Sequence, residues 1–152
     1  MEIWFYHLTA QKLESALPAL LEKCVQRGWK SIVQTSSAHR VQELDAMLWD
    51  CSAESFLAHG TEADGDFELQ QIYLTEGAEK PLDAQVRFFV DGADFLPVMA
   101  QPNAYERMIV MFDGSDESAL QAARNQWRAA KAAGGALSYW KQGEGGWEKA
   151  GV

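Results

Sequence analysis

The sequence predicts a single-domain α/β protein with a mostly parallel sheet, on three observations. Short β-branched and aromatic runs alternate with amphipathic helical stripes, in the order strand, helix, strand, helix that a parallel βαβ unit requires. The 152 residues suffice for one domain that buries most of its unfolded surface. Hydrophobic residues make up 47%, ordinary for a packed core and too many for a disordered chain.

The first strand is residues 3–8 (IWFYHL), rich in aromatic and β-branched types. Leu13, Ala16, Leu17, Leu20, Leu21, Cys24 and Val25 then recur at steps of three and four, which puts them on one face of a helix. Pro18 has no amide hydrogen to donate, so this helix either kinks there or starts near it. Gly28 stands where a C-terminal cap belongs. Residues 31–34 (SIVQ) form a second strand, and Ser37 caps a second helix with Val41, Leu44 and Leu48 on its apolar side.

Three more strands are expected at 71–75, 86–90 and 108–112. The acidic, glycine-containing stretch 57–68 reads as a loop, and 91–105, with Gly92, Pro97 and Pro102, as irregular. The last helix runs from about Asp116 to Gly134, where Gly134-Gly135 stops it, and residues 136–141 return as an edge strand. The domain is therefore expected to occupy 1–141, with 142–152 a mobile tail.

Several function classes are disfavoured. The net charge is -9, and an acidic surface repels phosphate, so any anion site must be local. Met1-Glu2 leads at once into a strand-like run, not a signal peptide, and no apolar stretch approaches the roughly 18 residues a membrane span needs. A cytoplasmic protein is the expectation. Cys24 and Cys51 lack C-x-x-C spacing, and Cys24 falls on an apolar helix face, as a buried structural thiol does.

The turn after the first strand, Thr9-Ala10-Gln11, has no glycine, and neither G-x-G-x-x-G nor G-x-x-x-x-G-K-[ST] occurs. A phosphate cradle at the first helix is thus not expected. His7, His39 and His59 lack the spacing of a helical metal pair; His7 reads as a packed strand histidine and His59 as a loop residue. The acids Glu62, Asp64 and Asp66 lack the remaining ligands of a calcium loop. No G-x-S-x-G elbow appears. The expectation is no catalytic residue, no metal and no cofactor.

The last helix offers a surface instead. At about 100° per residue, Arg128 lies about 40° from Arg124, with Lys131, Leu120 and Trp127 within about 60° on the other side. Ala119, Ala122, Ala123, Ala129, Ala130 and Ala133 gather opposite and are expected to pack on the sheet. Three cations with no acid between residues 124 and 131 have two readings. One is a solvated face favoured by the helix dipole. The other is a site for an anionic, partly apolar ligand, such as a peptide ending in a hydrophobic residue and a free carboxylate. Trp49, ending the second helix, and Phe56 are either core or an exposed aromatic patch for a protein partner.

Several segments together resemble the chi subunit of bacterial DNA polymerase III. They are Phe5-Tyr6-His7-Leu8, Leu44-Asp45-Ala46-Met47-Leu48-Trp49 and Glu54-Ser55-Phe56-Leu57-Ala58-His59-Gly60. Phe112-Asp113, the run from Ala123 through Trp127 to Gly134, and Ser138-Tyr139-Trp140 complete the pattern, in order and with compatible spacing. The resemblance implies a Rossmann-like three-layer α/β fold and a non-catalytic subunit of the clamp-loader assembly. It implies binding of the acidic, phenylalanine-ended C-terminal tail of single-stranded DNA-binding protein at Arg124, Trp127, Arg128 and Lys131. It also implies a contact with the psi subunit, or another clamp-loader component, at Trp49 and Phe56, with DNA touched only indirectly and no membrane involved. Two other readings stand beside it: a nucleotide-binding α/β enzyme without recognisable phosphate-loop motifs, and a direct single-strand binder using the tryptophans.

Overall fold

A computed structural model of the chain describes residues 2–8, 13–50, 59–61, 72–77, 84–99, 105–143 and 146–150. Among these residues four helices and eight strands follow one another: β1 (Glu2–Leu8), α1 (Leu13–Gln26), β2 (Ser31–Gln34), α2 (Ala38–Asp50), β3 (His59–Thr61), β4 (Ile72–Thr75), β5 (Val86–Phe89), α3 (Leu96–Met99), β6 (Arg107–Asp113), α4 (Glu117–Ala132), β7 (Ala136–Gly143) and β8 (Gly146–Ala150). They make one sheet in the order β3-β4-β2-β5-β6-β1-β7-β8, parallel throughout except for the β7–β8 pair. The expected α/β fold with a mostly parallel sheet is the fold observed.

Strand alternation divides the core in two. On one face Tyr6, Leu8, Val33, Leu74, Phe88, Ile109 and Met111 pack with the α1 stripe and with Leu44 and Leu48 of α2. On the other Ile3, Phe5, Ile32, Tyr73, Phe89, Val110 and Phe112 pack beneath Phe95, Val98 and the α4 residues Ala123 and Ala130. A central strand buried on both faces reads as a continuous apolar run, as β1 does. Each fully buried large apolar side chain adds about 1.5–3 kcal/mol.

The caps are where local chemistry places them. The Ser37 hydroxyl accepts from the Arg40 amide at 3.2 Å, starting α2. Gly28 at φ 75° and Gly134 at φ 85° take the left-handed conformation that ends α1 and α4. Pro18 lies inside an α1 that runs on unbroken, so a lost backbone bond in its second turn is tolerated where Leu17 and Leu21 are fully buried.

Four expectations change. Residues 59–61, expected in a loop, form β3, a three-residue strand on the β4 edge. A run as short as His-Gly-Thr carries no periodicity; neighbouring strands supply the pairing. Within 91–105, expected to be irregular, residues 96–99 make one helical turn, α3. Residues 136–141 are not the sheet edge. The strand continues to Gly143, and residues 146–150, expected in a mobile tail, pair back on it as β8. The Gly143–Gly146 pair closes that ladder.

Arg87, on central strand β5, is fully buried. Its Nε and one terminal nitrogen donate to Gln34 Oε1 at 3.1 and 2.6 Å. It also donates to the Tyr105 hydroxyl at 3.1 Å and to the Gly77 carbonyl at 2.9 Å. The guanidinium thereby ties β2 and the segments after β4 and before β6 to one point.

Candidate functional site: the basic face of helix α4

Asp113 ends β6, and its carboxylate accepts from the Ser115 amide at 2.9 Å and hydroxyl at 2.6 Å, turning the chain toward the helix. These bonds hold the Asp113 carboxyl below the usual range. Asp116 then caps α4, accepting from Ser118 N at 2.9 Å and Ala119 N at 3.3 Å. Start and stop are both set locally, so the rotation of the helix is decided by packing.

That rotation differs from the sequence expectation. Ala123 and Ala130, seven residues apart, are the buried pair, while Ala122 and Ala133 are exposed. Counting alanines could not find the packing face, because an alanine tolerates either environment. With the contact line through Ala123 and Ala130, Trp127 sits at its flank and not out among the cations. Its ring is half-buried and meets Phe5 edge-on at 5.2 Å and Tyr139 at 5.9 Å.

Arg124, Arg128 and Lys131 are exposed, and none makes an ion pair with a carboxylate among the described residues. The four residues expected to bind a tail therefore come together as three cations, unpaired with carboxylates among the described residues, beside one anchored indole. The parallel pairing of β1 with β7 puts Phe5 beside Tyr139 and His7 beside Lys141, under the helix. Arg124 lies close enough for its charge to act on both groups, adding slightly to the burial that lowers the His7 pKa and opposing the burial that raises that of Tyr139. Reading residues one element at a time misses His7, Tyr139 and Lys141, since only the β1–β7 register brings them here. Trp49 is the penultimate residue of α2, with its side chain outside the described residues, as is all of Phe56.

His7 is half-buried, its Nδ1 hydrogen-bonded to the Tyr139 hydroxyl and its ring 5.1 Å from Phe112. Burial holds its pKa below 6.5, helped by Lys141 and Arg124 and opposed by Asp113. Burial raises the pKa of Tyr139, so the phenol keeps its proton beside the imidazole, and the imidazole tautomer sets which of the two donates. An unfolded chain then gains a proton near pH 6.5 that the folded chain gains only lower, so this contribution is complete above 6.5 and is lost as pH falls. The thermal midpoint should drop between about pH 7 and about pH 5.5, and by less in His7→Gln. Equal slopes in the two proteins would contradict this.

Gly114 follows β6 directly under His7: a Cβ there would overlap the imidazole. Gly114→Ala should cost about 1–3 kcal/mol, the scale of forced overpacking, and displace His7 from Tyr139. Thermal denaturation, with the His7 ring resonances followed by NMR, checks both effects.

A second concavity, of about 760 Å³, opens at the C-terminal ends of β1, β5 and β6 beside the start of α4. Such crevices hold nucleotides in many α/β proteins. Here its described lining carries Asp91, Asp113 and Asp116 against the cation Arg40. The Arg40 Nε donates to Asp91 at 2.7 Å. That sign is wrong for phosphate.

Among the described residues no helix is long and apolar enough to cross a membrane. The family model described as DNA polymerase III chi subunit, HolC, matches residues 1–138. A protein described as probable DNA polymerase III subunit chi, from Rickettsia prowazekii (strain Madrid E), is 30% identical over 111 residues, covering 71% of this chain and 67% of that one. With a match over nearly its whole length, the chain belongs to the DNA polymerase III chi subunit family, accessory subunits of DNA replication.

Proposed function

We propose that the chain is a non-catalytic adaptor that captures the acidic, phenylalanine-ended C-terminal tail of single-stranded DNA-binding protein on α4. The observation that carries this reading is three exposed cations, without carboxylate partners among the described residues, flanking a tryptophan anchored to the core. Arg128 and Lys131 hold the terminal and nearby carboxylates, and Arg124 draws the tail in. The free part of the Trp127 ring receives the apolar end. A micromolar complex requires about -8 kcal/mol. Two charge-assisted bonds at about 1.5–3 kcal/mol each, with one partly buried ring, reach that scale. Trp49 and Phe56 are proposed to face the psi subunit or another clamp-loader component, so that the protein reaches DNA through the coat protein.

Fluorescence polarisation of a labelled acidic peptide ending in phenylalanine tests this. Saturable binding that weakens as salt rises is expected. Absence of binding at low salt, or a rise in melting temperature with nucleotides instead, overturns it in favour of an enzyme.

A further inference from the structure

On the sheet face away from α4 lies a smaller cleft of about 200 Å³, lined by Trp4, Lys23, Arg27, Trp29, Arg107 and Trp140 among others. Half the tryptophans of the chain, which number six, meet here with three cations, on a protein of net charge -9. Phe5 points to Trp127 while its neighbour Trp4 points the opposite way, so the two basic surfaces are separated by the sheet. The Arg107 guanidinium stacks 3.5 Å from the Trp4 ring centre and lies 5.7 Å from Trp29. Arg27 lies 5.2 Å from Trp29, and Trp4 and Trp140 stand 4.9 Å apart. Lys23 and Arg27 are exposed at its rim.

Two donors on these side chains lack an acceptor. The buried Trp140 Nε1 and Arg107 Nε have no hydrogen-bond partner among the described residues. Glu2 stands 3.8 Å from Arg107 Nε, within ion-pair range but beyond a hydrogen bond. A ligand matched to these side chains would offer acceptor atoms, a flat ring for the indoles, and negative charge for the rim.

We propose that this cleft takes one nucleotide of a single-stranded nucleic acid. The base stacks against the tryptophan and arginine planes, its carbonyl oxygens or ring nitrogens accept from the orphaned N–H groups, and Lys23 and Arg27 hold the phosphate. The phenylalanine ring of an acidic peptide would fit the volume but carries no acceptor on its own edge, whereas a base presents ring and acceptors together. The cleft admits a single ring, so the contact is weak and local, an adjunct to capture through the coat protein. The site stands independently of the α4 reading.

The test titrates the full chain with a fluorescently labelled oligothymidylate at low salt. A saturable anisotropy rise with tryptophan quenching is expected, weakening as salt rises. Lys23→Glu with Arg27→Glu, both exposed, should lower affinity about tenfold or more with only a small loss in melting temperature. Trp140→Phe keeps a ring but loses the donor, and should weaken binding severalfold. Arg124→Glu with Arg128→Glu should leave it unchanged, and the acidic peptide should not compete. No saturable binding by the wild type, binding untouched by the Lys23 and Arg27 changes, or binding lost through the α4 changes would each overturn the proposal. Loss of acidic-peptide binding in the Lys23 and Arg27 variant would assign the cleft to a protein partner. Because the cleft takes one nucleotide, thymidine monophosphate should compete with the oligonucleotide, and failure to compete would overturn the proposal.

Discussion

Arg128→Glu is expected to abolish binding of an acidic, phenylalanine-ended peptide while leaving the fold intact. The residue is exposed, near the C-terminal end of α4, and free of ion pairs among the described residues. Its removal takes away a charge-assisted bond worth about 1.5–3 kcal/mol. The new carboxylate adds repulsion against the tail, of roughly 1 kcal/mol or more at a partly screened distance. At about 1.4 kcal/mol per factor of ten, a micromolar complex moves toward the millimolar range. The fold loses only the dipole interaction of a cation near a helix C-terminus, about 0.3–1 kcal/mol. Arg128→Lys separates geometry from charge, because lysine keeps the charge and loses the planar fork. An unchanged affinity in Arg128→Glu would remove Arg128 from the site, and an equal loss in Ala122→Glu would reduce the effect to general charge.

What could be read from the sequence is what is set within a few residues. The caps of α2 and α4, the glycine stops after α1 and α4, and the strand at Ser31–Gln34 depend on neighbours along the chain, and each lies where its residues require. The cations of α4 were legible for the same reason, since helical geometry alone puts Arg124, Arg128 and Lys131 on one side. The placement of Trp127 was not. It follows from β1 lying between β6 and β7, which sets Phe5 and Tyr139 beneath the helix. That order is a long-range choice with no local signature. The cleft of Trp4, Trp29 and Trp140 is hidden in the same way, assembled from five separate parts of the chain. A residue such as Arg87, inside an apolar strand, looks like a break in the pattern until its partners are seen.

Arg87→Met should be the most destabilising of the changes considered, lowering the melting temperature by roughly 6–12 °C. Methionine matches the length and apolar character of the stem but supplies no donor. Gln34 Oε1, the Tyr105 hydroxyl and the Gly77 carbonyl then each lose a bond that Arg87 now makes. A buried acceptor left without its donor costs about 1–3 kcal/mol, so three together cost about 3 kcal/mol or more. Domains of this kind hold only about 5–15 kcal/mol in all. Each kcal/mol moves the midpoint of a protein of this length by roughly 2–4 °C. The same reasoning predicts partial recovery in a double variant. Gln34→Leu with Arg87→Met replaces donor and acceptor together, so the pair should be less unstable than the sum of the two single changes, by about 1 kcal/mol or more. Chemical denaturation of the four proteins gives the comparison. Strict additivity would mean that the two side chains do not act as a unit, and that the burial of a charge on a central strand is tolerated for some other reason.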